Sequence, residues 1–333
     1  MGAFALTPPP DFVLLLSHSN ERFCTAQVQK GLENRGARSL RLDTDLFPTE
    51  LRVSARLGAE TPGELLWQGE PLEVSAVWVW RLWAAQLSPK LSAEHQRIAQ
   101  TEAHAAWVGF LAQLSDAFFI DPNSAAGAAE NKLWQLRLAQ TLGIPIPETL
   151  VTADPQQARS FCSQHDRVVT KLQRPICYGM AGGGGFPTRL VQKSDLAALD
   201  SLVHCPMMFQ RYIQKKYELR VAWVDGQAFV GALPGEKCGV DWRYEAAAPF
   251  EVGSLPGAVH RKLAALMRAL GLRQGAIDLI VTPEDDYVFL EVNPNGEWGM
   301  LERDLGLPIG QALADALIRR GEKNQEGTGD AIR

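Results

Sequence analysis

Two acidic residues and one amide occur in a pattern that could bind a divalent metal ion. Asp278 lies in the apolar segment AIDLIV, and Glu291 and Asn293 lie in the alternating segment FLEVN. Residues two apart in a strand share a face, so pairing of these segments across the turn TPEDD can bring Asp278 opposite the other two. Hard oxygen ligands suit Mg²⁺, which binds one or two carboxylates together with substrate phosphates. The alternative is a pair of ordinary acids on an edge strand.

A run of glycines, GMAGGGG at residues 179–185, could approach an anion closely. Glycine has no side chain to obstruct the backbone, and successive N–H groups can turn toward a phosphate. The run fits neither the P-loop pattern nor the GxGxxG pattern. Because the extended segment TRLVQ follows it, we interpret it as a hairpin lid over phosphates, and a flexible surface loop is the alternative. The candidate contacts are Gly179, Gly182, Gly183 and Gly184.

Two lysines precede the glycine run and could bind phosphate. Lys132 lies near the start of a predicted helix, and Lys171 lies inside the apolar strand VVTKLQ. A lysine inside an apolar strand is unusual unless its ammonium group is paired, and phosphate is a suitable partner for such a point charge. The alternative is that each lysine extends its ammonium group to solvent at the surface.

The segment QRYIQKKYELR could bind the remaining parts of a nucleotide. Its first four residues end a predicted strand, where backbone groups could meet the edge of an adenine ring. Glu218 could accept hydrogen bonds from ribose hydroxyls, and Arg220, two residues on, could form a bidentate fork with phosphate or carboxylate oxygens. A charged linker between strands is the alternative. The four residues at the strand end are Gln210, Arg211, Tyr212 and Ile213.

The elements that must position these residues form three successive groups. The apolar run 11–17, a helix ending at Gly36 and the strand RSLRLD predict a small α/β unit with a parallel sheet, extended by a strand over 75–83 and a helix over 88–114. The small residues of 123–129 predict a flexible boundary. We therefore predict a first domain over 1–122.

Two further domains are predicted after that boundary, giving an α/β and α+β protein. Residues 123–206 alternate helix and strand around the glycine run. Residues 207–325 are richer in strands and contain two predicted hairpins, the first with Asp225-Gly226 at its turn and the second carrying the three oxygen ligands. A last helix is predicted from about Pro308 to Arg320.

Composition excludes several classes of protein. The net charge of −5 argues against affinity for nucleic acid or for a membrane surface that rests on overall charge, and we predict neither partner. No apolar run is long enough to span a bilayer. The N-terminal segment lacks the pattern of a signal peptide, so we expect a cytoplasmic protein. The five cysteines are scattered without CxxC spacing, which predicts reduced thiols rather than a zinc site or disulfides.

The order of these features along the chain resembles the ATP-grasp fold, in which two α+β subdomains hold ATP behind a smaller N-terminal α/β domain. The resemblance covers nearly the whole chain. It implies an N-terminal α/β (pre-ATP-grasp) domain over 1–122, a central subdomain with the glycine-rich lid over 123–206, and a C-terminal subdomain with the magnesium site over 207–325.

The resemblance also implies a role for each candidate residue. The two lysines would contact the α- and β-phosphates of ATP, and the three oxygen ligands would hold two Mg²⁺ ions. The backbone at Tyr212 and Ile213 would meet adenine, and Glu218 would bind the ribose. Arg220 would face the γ-phosphate or the acyl phosphate, and the lid would exclude water from that intermediate.

Three segments narrow the resemblance to one group. EVNPNGEW, YGMAGGGG and GVDWRYE are together similar to the microviridin-type macrocyclases, also called graspetide synthetases. Such enzymes use ATP to activate Asp or Glu side chains of a ribosomal precursor peptide, then close ω-ester or ω-amide rings onto Ser/Thr or Lys. The resemblance implies a leader-plus-core precursor peptide as partner and a homodimer. Arg243 is the candidate for holding the acidic side chain of the core peptide.

Two rival functions share the same ATP-binding residues. The first is an intermolecular carboxylate–amine ligase, similar to glutamate ligases, which adds amino acids to a peptide or protein. The second is a non-catalytic nucleotide-binding regulator, which loss of metal ligands would support, although none is lost. Gln210 departs from the glutamate that many ATP-grasp proteins have there, but an amide can still meet the adenine amino group. Glu297 is either a general base or a loop residue that caps nearby backbone.

Overall fold

A computed structural model of the protein describes residues 12–59, 63–173, 186–245 and 249–328. The strands are β1 (Phe12–Ser17), β2 (Arg38–Asp43), β3 (Val53–Arg56), β4 (Glu64–Trp67), β5 (Glu70–Pro71), β6 (Ala76–Val79), β7 (Phe118–Ile120), β8 (Thr149–Thr152), β9 (Val168–Lys171), β10 (Arg189–Leu190), β11 (Met207–Arg211), β12 (Tyr217–Val224), β13 (Gln227–Pro234), β14 (Glu251–Val252), β15 (Gln274–Val281) and β16 (Tyr287–Asn293). The helices are α1 (Cys24–Glu33), α2 (Ala93–Ala112), α3 (Asn123–Ala129), α4 (Lys132–Thr141), α5 (Pro155–Ser163), α6 (Lys193–Ala197), α7 (Gly235–Cys238), α8 (Trp242–Glu245), α9 (Gly257–Ala269), α10 (Gly299–Leu305) and α11 (Ile309–Thr328). Short 3₁₀ helices cover Thr44–Leu46 and Leu199–His204.

The chain divides into two compact units. The first comprises the described residues up to Ala125 together with those from Pro308 on, and the second comprises Ala126–Leu307. The sequence-based division assigned the last helix to a third domain ending at residue 325, whereas in the structure α11 packs against α1, β6 and β7. Its buried side chains, Leu313 and Leu317 among them, need an apolar surface, which the first unit supplies. The three-part division itself stays a prediction.

The first unit is built on a parallel sheet with the strand order β2-β1-β6-β7. Val13–Leu16 in the centre of β1 are fully buried, as expected for a parallel strand covered on both faces. The predicted strand–helix–strand unit at the start of the chain is confirmed. A three-stranded antiparallel sheet, β3-β4-β5, follows β2 and was not predicted, because its strands are short and largely exposed.

Glycine allows α1 and α11 to pack closely within this unit. A Cβ atom on Gly31 would lie 2.9 Å from the Cβ atom of Ala314, and one on Gly310 would lie 2.7 Å from the Cβ atom of Gln27. Real Cβ atoms do not approach that closely, so any larger residue must push the helices apart.

The second unit contains a five-stranded antiparallel sheet in the order β14-β13-β12-β15-β16. Both predicted hairpins are confirmed: β12 pairs with β13, and β15 pairs with β16. Asp225 and Gly226 have positive φ angles of 42° and 92° at the first turn, as a tight hairpin turn requires. Helices α4 and α9 place Leu136, Leu263 and other apolar side chains against this sheet in one buried core.

The segment 123–129, predicted to be a flexible boundary, is helix α3. The predicted flexibility was wrong, but the predicted boundary is confirmed, because the two units meet between Ala125 and Ala126. The alanines of α3 favour helix, and Ala126 and Ala129 are buried. The next helix, α4, has Asn131 as its N-cap, and the side chain of Asn131 accepts a hydrogen bond from the Trp134 N–H at 3.1 Å. This N-cap fixes where α4 begins.

A second sheet of this unit has the order β10-β9-β11-β8 and is antiparallel. Helix α5 and the 3₁₀ helix at Leu199–His204 pack on it through Phe161, Leu199 and Leu202. Asp154 caps α5 by accepting a hydrogen bond from the Gln156 N–H at 2.8 Å. Within the described ranges, none of the helices combines the length and apolar character that a membrane span needs.

Candidate active site

A cleft of about 640 Å³ lies in the second unit and is lined by residues of both of its sheets. Val169, Ile213, Ile280 and Leu290 supply apolar walls, and charged side chains line the rest. An apolar slot with a few convergent polar groups is typical of a cofactor or nucleotide site. The charged lining residues are Lys171, Arg211, Lys215, Glu218, Asp241, Arg243, Asp278 and Glu291.

The predicted pairing of the acidic residues is confirmed. Asp278 in β15 lies directly opposite Glu291 in β16, and Ala276 lies opposite Asn293. The register shifts immediately afterwards, with Leu279 opposite Phe289, so Leu290 is the extra residue of a β-bulge. The Asn293 side chain donates a hydrogen bond from Nδ2 to Glu291 Oε1 at 3.3 Å. The side chains of Asp278, Glu291 and Asn293 therefore converge at one end of the sheet.

Both predicted lysines contact the same carboxylate oxygen of Glu291. Lys132 Nζ lies 2.9 Å and Lys171 Nζ lies 3.5 Å from Glu291 Oε2. All three residues are buried, and Lys132 also donates to the carbonyl of Leu172 at 3.0 Å. Burial alone would raise the pKa of Glu291, but the ammonium groups of Lys171 and Lys132 outweigh it and hold that pKa below its usual range. Glu291 is therefore an ionised carboxylate.

Arg220 forms a buried ion pair with the other acidic residue. Its Nη1 atom lies 2.9 and 3.0 Å from the two carboxylate oxygens of Asp278, and the two residues face each other across β12 and β15. Nη2 donates to the carbonyl of Glu297 at 2.9 Å. The Arg220 Nε atom is buried and makes no hydrogen bond within the described part of the chain. This guanidinium therefore has one donor available for another acceptor.

The strand end predicted to meet adenine lies beside the cleft. Gln210 is buried, lines the cleft, and donates from Nε2 to Thr149 Oγ1 at 2.9 Å. The Tyr212 N–H donates to the carbonyl of Arg167 at 3.0 Å, so its own carbonyl is the backbone group that could bind a nucleotide. The Arg211 N–H donates to the Glu148 carbonyl at 2.9 Å, which leaves Arg211 only its exposed side chain and its carbonyl for such a contact.

Glu218 forms a buried ion pair with a lysine that the sequence analysis did not select. Lys215 Nζ lies 2.6 Å from Glu218 Oε2 and donates to the carbonyls of Gly239 and Val240, both at 2.9 Å. Burial alone would lower the pKa of Lys215, but the carboxylate of Glu218 outweighs it and raises that pKa. Lys215 is therefore a cation that fixes the Glu218 carboxylate at the edge of the cleft.

Asp241 holds Arg243, the predicted contact for an acidic side chain. The guanidinium of Arg243 donates from Nε to Oδ1 at 2.8 Å and from Nη2 to Oδ2 at 2.7 Å, and the Thr188 N–H donates to Oδ2 at 3.0 Å. Burial opposes ionisation of Asp241, but these hydrogen bonds dominate and lower its pKa. The Arg243 side chain remains 49% exposed, so its guanidinium is held by Asp241 and still accessible to a ligand.

Family models match almost the entire described chain. Residues 12–126 match the MvdD pre-ATP grasp domain, and residues 129–317, more than half of the chain, match the RimK-like ATP-grasp domain. The chain belongs to the ATP-grasp family. No curated protein matches this ATP-grasp enzyme in sequence.

Solved structures place the ATP-grasp enzyme among peptide macrocyclases. It is 39% identical to the macrocyclase MdnB from Microcystis aeruginosa MRC, with a TM-score of 0.79, and covers 99% of that chain with 92% of its own. It is 32% identical to the macrocyclase MdnC from the same source, solved with the precursor peptide MdnA, with a TM-score of 0.83 and the same coverage. A RiPP-associated ATP-grasp ligase from Chryseobacterium gregarium, solved with ADP and a leader and core peptide, is 28% identical with a TM-score of 0.84 and covers 93% and 97% of the two chains.

The structure of the ATP-grasp enzyme brings most of the sequence-predicted residues together, while their individual roles stay predictions. The four residues of the strand end at 210–213 line the cleft together with Lys171 and Glu218. Lys132 and Arg220 contact the carboxylates of Glu291 and Asp278, which also line it. Gly179, Gly182, Gly183 and Gly184 lie outside the described residues. Glu297 Oε1 accepts the Gly299 N–H at 2.8 Å, which is the capping role that sequence analysis left open as the alternative to a general base.

Lys215 and Asp241 are the site residues that sequence analysis missed. Lys215 lies in the polar run QKK, where nothing distinguishes it from an exposed lysine. Asp241 is two residues before Arg243 in DWR. The spacing of these two residues on a turn could have indicated that the carboxylate binds the guanidinium. Both residues are buried only when residues 239–243 pack against the β12 side of the unit, and the sequence does not show that packing.

The donor set of the ATP-grasp enzyme fits Mg²⁺. Asp278 and Glu291 supply carboxylate oxygens, Asn293 supplies an amide oxygen, and all three are hard ligands. Softer ligands are not grouped there, and no cluster of three or more His, Cys, Asp or Glu residues occurs among the described residues. Three of the described cysteines, Cys162, Cys205 and Cys238, are free thiols. Two carboxylates and an amide leave coordination positions for phosphate oxygens and water, as Mg²⁺ prefers.

Proposed function

We propose that this protein is an ATP-dependent ligase that closes ω-ester or ω-amide macrocycles within a ribosomally made precursor peptide. The observation that carries the proposal is the likeness of 92% of the chain to two macrocyclases at 39% and 32% identity. The geometry of the cleft supports it, because carboxyl groups, lysines and an arginine converge where a nucleotide would place its phosphates.

The first step would transfer a phosphoryl group to the peptide. An Asp or Glu side-chain oxygen of the peptide attacks the γ-phosphorus of ATP, the bond to the β-phosphate oxygen breaks, and ADP leaves with an acyl phosphate formed on the peptide. Such transfers need positioning and charge neutralisation rather than covalent help from the protein. Lys132 and Lys171 would neutralise the α- and β-phosphates, and Arg220 would contact the transferring group through its available Nε–H.

The second step would close the ring. A Ser or Thr hydroxyl or a Lys amine of the same peptide attacks the acyl carbon, the carbon–oxygen bond to phosphate breaks, and the nucleophile loses its proton. Each ring therefore forms with loss of one water from the peptide, while ATP becomes ADP and phosphate. Arg243, held by Asp241, would bind the acidic side chain before and during its activation.

Asp278, Glu291 and Asn293 would hold the Mg²⁺ ions, two of them by family resemblance. Bound there, Mg²⁺ would neutralise charge on the phosphate oxygens and orient them for in-line transfer. Lys132 and Lys171 both contact Glu291. Phosphates that bind to these lysines would therefore lie beside Glu291, one of the metal ligands.

The nucleotide would lie along the cleft with its base against the apolar walls. The Gln210 amide and the backbone carbonyl of Tyr212 would meet the adenine edge together with the backbone of Ile213. Glu218, fixed by Lys215, would accept hydrogen bonds from the ribose hydroxyls. The glycine run would close over the phosphates, as predicted from the sequence.

The partner would be a precursor peptide with a leader and a core segment, and not nucleic acid or a membrane. A leader that binds away from the cleft would raise the local concentration of the core. We also propose a homodimer that works in the cytoplasm, where ATP and newly synthesised peptides are available. Sedimentation of the purified protein checks the dimer.

Intact-mass spectrometry tests the function. The protein is incubated with ATP, Mg²⁺, a mixture of free amino acids and a precursor-like peptide rich in Thr and Asp/Glu that is encoded beside its gene. We expect the peptide to lose one water mass per ring while ADP appears. A mass gain equal to an added amino acid would replace the proposal with an intermolecular ligase. The control is the double variant Glu291→Ala/Asn293→Ala, which should remain folded and form no ring.

A further inference from the structure

At Val292, the outer edge of strand β16 is paired with a glutamine side chain, and none of the described strands lies beside it there. The Val292 N–H donates to Gln135 Oε1 at 2.9 Å, and Gln135 Nε2 donates to the Val292 carbonyl at 2.7 Å. Nε2 also donates to the Ala129 carbonyl at 2.6 Å. The amide of Gln135 thus bonds both backbone groups of Val292, as a neighbouring strand would.

Gln135 is 1% exposed and lies in an apolar part of the unit. A buried amide is tolerated only when it is hydrogen-bonded, and this one uses both donors and its acceptor. A leucine or methionine could fill the same volume without that requirement. The bonds to Val292 therefore explain why a polar residue occupies this core position.

The position of Val292 gives these bonds their significance. Val292 lies between Glu291 and Asn293, two of the three candidate metal ligands. The bulge at Leu290 interrupts the regular ladder just before them, and a bulge weakens the register and bends the strand locally. The hydrogen bonds of Gln135 to Val292, on the outer edge of β16, fix the backbone that follows the bulge.

The same helix also contacts one of the ligands directly. Lys132, three residues before Gln135 in α4, forms the 2.9 Å ion pair with Glu291. Residues three apart lie on one face of a helix, so α4 holds β16 through the backbone at Val292 and through the side chain of Glu291. The helix and the metal-binding end of the strand are thereby joined as one structural piece.

We propose that Gln135 is a positioning residue for the metal site, which orients Glu291 and Asn293 through the backbone of Val292. The inference rests on the proposed function, since it concerns the same Mg²⁺ ligands. Partners that orient metal ligands without touching the ion commonly change metal affinity by about tenfold to a hundredfold when removed. Gln135 should therefore act on metal-dependent nucleotide binding and leave metal-free binding unchanged.

Calorimetry with a non-hydrolysable ATP analogue separates these effects. The dissociation constant is measured in Mg²⁺ and again in EDTA, for the wild type, Gln135→Met and the control Gln140→Met, which changes an exposed residue of the same helix. We expect Mg²⁺ to tighten binding in the wild type and in the control. In Gln135→Met that tightening should fall by about tenfold or more, while binding in EDTA stays within about twofold.

Three results would overturn the inference. The first is a folded Gln135→Met protein with unchanged Mg²⁺-dependent tightening. The second is equal weakening in Mg²⁺ and EDTA, which would show a merely structural role. The third is a wild type that binds the analogue equally well in both conditions, which would remove the metal assignment of the proposed function as well. If Gln135→Met does not fold, Gln135→Asn, whose shorter amide cannot reach both groups of Val292, is measured against the same expectations.

Discussion

Glu291 contacts two buried ammonium groups, and we therefore predict an unusual phenotype for Glu291→Gln. The variant leaves Lys132 and Lys171 without their common counter-charge, so the free energy of unfolding should fall by about 3 kcal/mol. Metal-free ATP analogue should bind the variant more tightly than the wild type, because the phosphates replace the missing negative charge. Urea denaturation and calorimetry in EDTA measure the two effects.

The control for this prediction is Glu284→Gln, the same substitution on an exposed turn, which should change neither quantity. Equal binding of metal-free analogue to the wild type and to Glu291→Gln would contradict the assignment of both lysines to phosphates.

Asp241 predicts a dependence of stability on pH. Its pKa in the folded protein lies below its ordinary value of 3.8, so the unfolded chain binds the proton more readily than the folded one. The Asp241 carboxylate therefore contributes stability above pH 3.8, and that contribution is lost as the pH falls through the lower, folded-state value. The gap in free energy of unfolding between the wild type and Asp241→Asn should shrink accordingly.

Urea denaturation at a series of pH values from neutral down to about pH 3 measures this gap. A gap that keeps its neutral-pH size throughout the series would show that the stabilisation does not come from the ionised carboxylate.

The residues predictable from sequence are those whose charge conflicts with their surroundings. Lys171, Asp278 and Glu291 stand out because each interrupts an apolar strand, and the structure brings all three to one site. Lys215 and Gln135 do not stand out, since each lies in a polar or amphipathic segment that offers an exposed position equally well. Their roles arise from contacts with Gly239, Val240 and Val292, which are distant in sequence.

At the level of elements, we predict that removing the N-cap of α4 and removing the N-cap of α5 have different effects on nucleotide binding. Asn131 caps α4 and Asp154 caps α5, and loss of an N-cap costs about 1 kcal/mol of stability. Asn131→Ala should also weaken binding of the Mg²⁺-bound analogue, because α4 carries Lys132 and Gln135. Asp154→Ala should lower stability by a similar amount and leave binding unchanged, because α5 carries none of the site residues.

Thermal denaturation and calorimetry of both variants test this difference. Equal effects of the two substitutions on nucleotide binding would show that the start of α4 has no particular connection to the site.

Elements with local signals were predictable, and those without were not. The Asp225-Gly226 turn and the alternating strands on either side of it identify the first hairpin. The boundary at 123–129 was predicted correctly, but helix α3 was mistaken for a flexible segment because small residues are common in both. The bulge at Leu290 has no sequence signature, since it results from the register between β15 and β16, yet it places Leu290 and Glu291 consecutively along the cleft.

At the level of the whole molecule, the first unit depends on a helix from the far end of the chain. The close approach of α1 and α11 predicts that Gly31→Ala destabilises the protein by about 1 to 3 kcal/mol, because the added methyl group overpacks the contact with Ala314. Gly109→Ala makes the same change in α2, where, among the described residues, no atom beyond the nearby backbone of the helix itself lies within 4 Å of the new methyl group. It should be neutral or stabilise by up to about 1 kcal/mol.

Differential scanning calorimetry of the two variants compares them directly. A Gly31→Ala protein as stable as Gly109→Ala would show that α1 and α11 can separate slightly at no cost. The packing of α11 against the first unit could not be predicted from the sequence. An amphipathic helix needs an apolar partner, but its sequence does not specify which one.

The packing of α11 in the first unit also determines which of the two units can complete its fold first during translation. The chain emerges from its N-terminus, so residues 126–307 are available in full before α11 has been synthesised. The second unit can complete its fold as one continuous stretch while α1, β6 and β7 still lack helix α11, which covers them. The first unit, although its translation begins earlier, is therefore completed after the second, because it also needs the residues from Pro308 on.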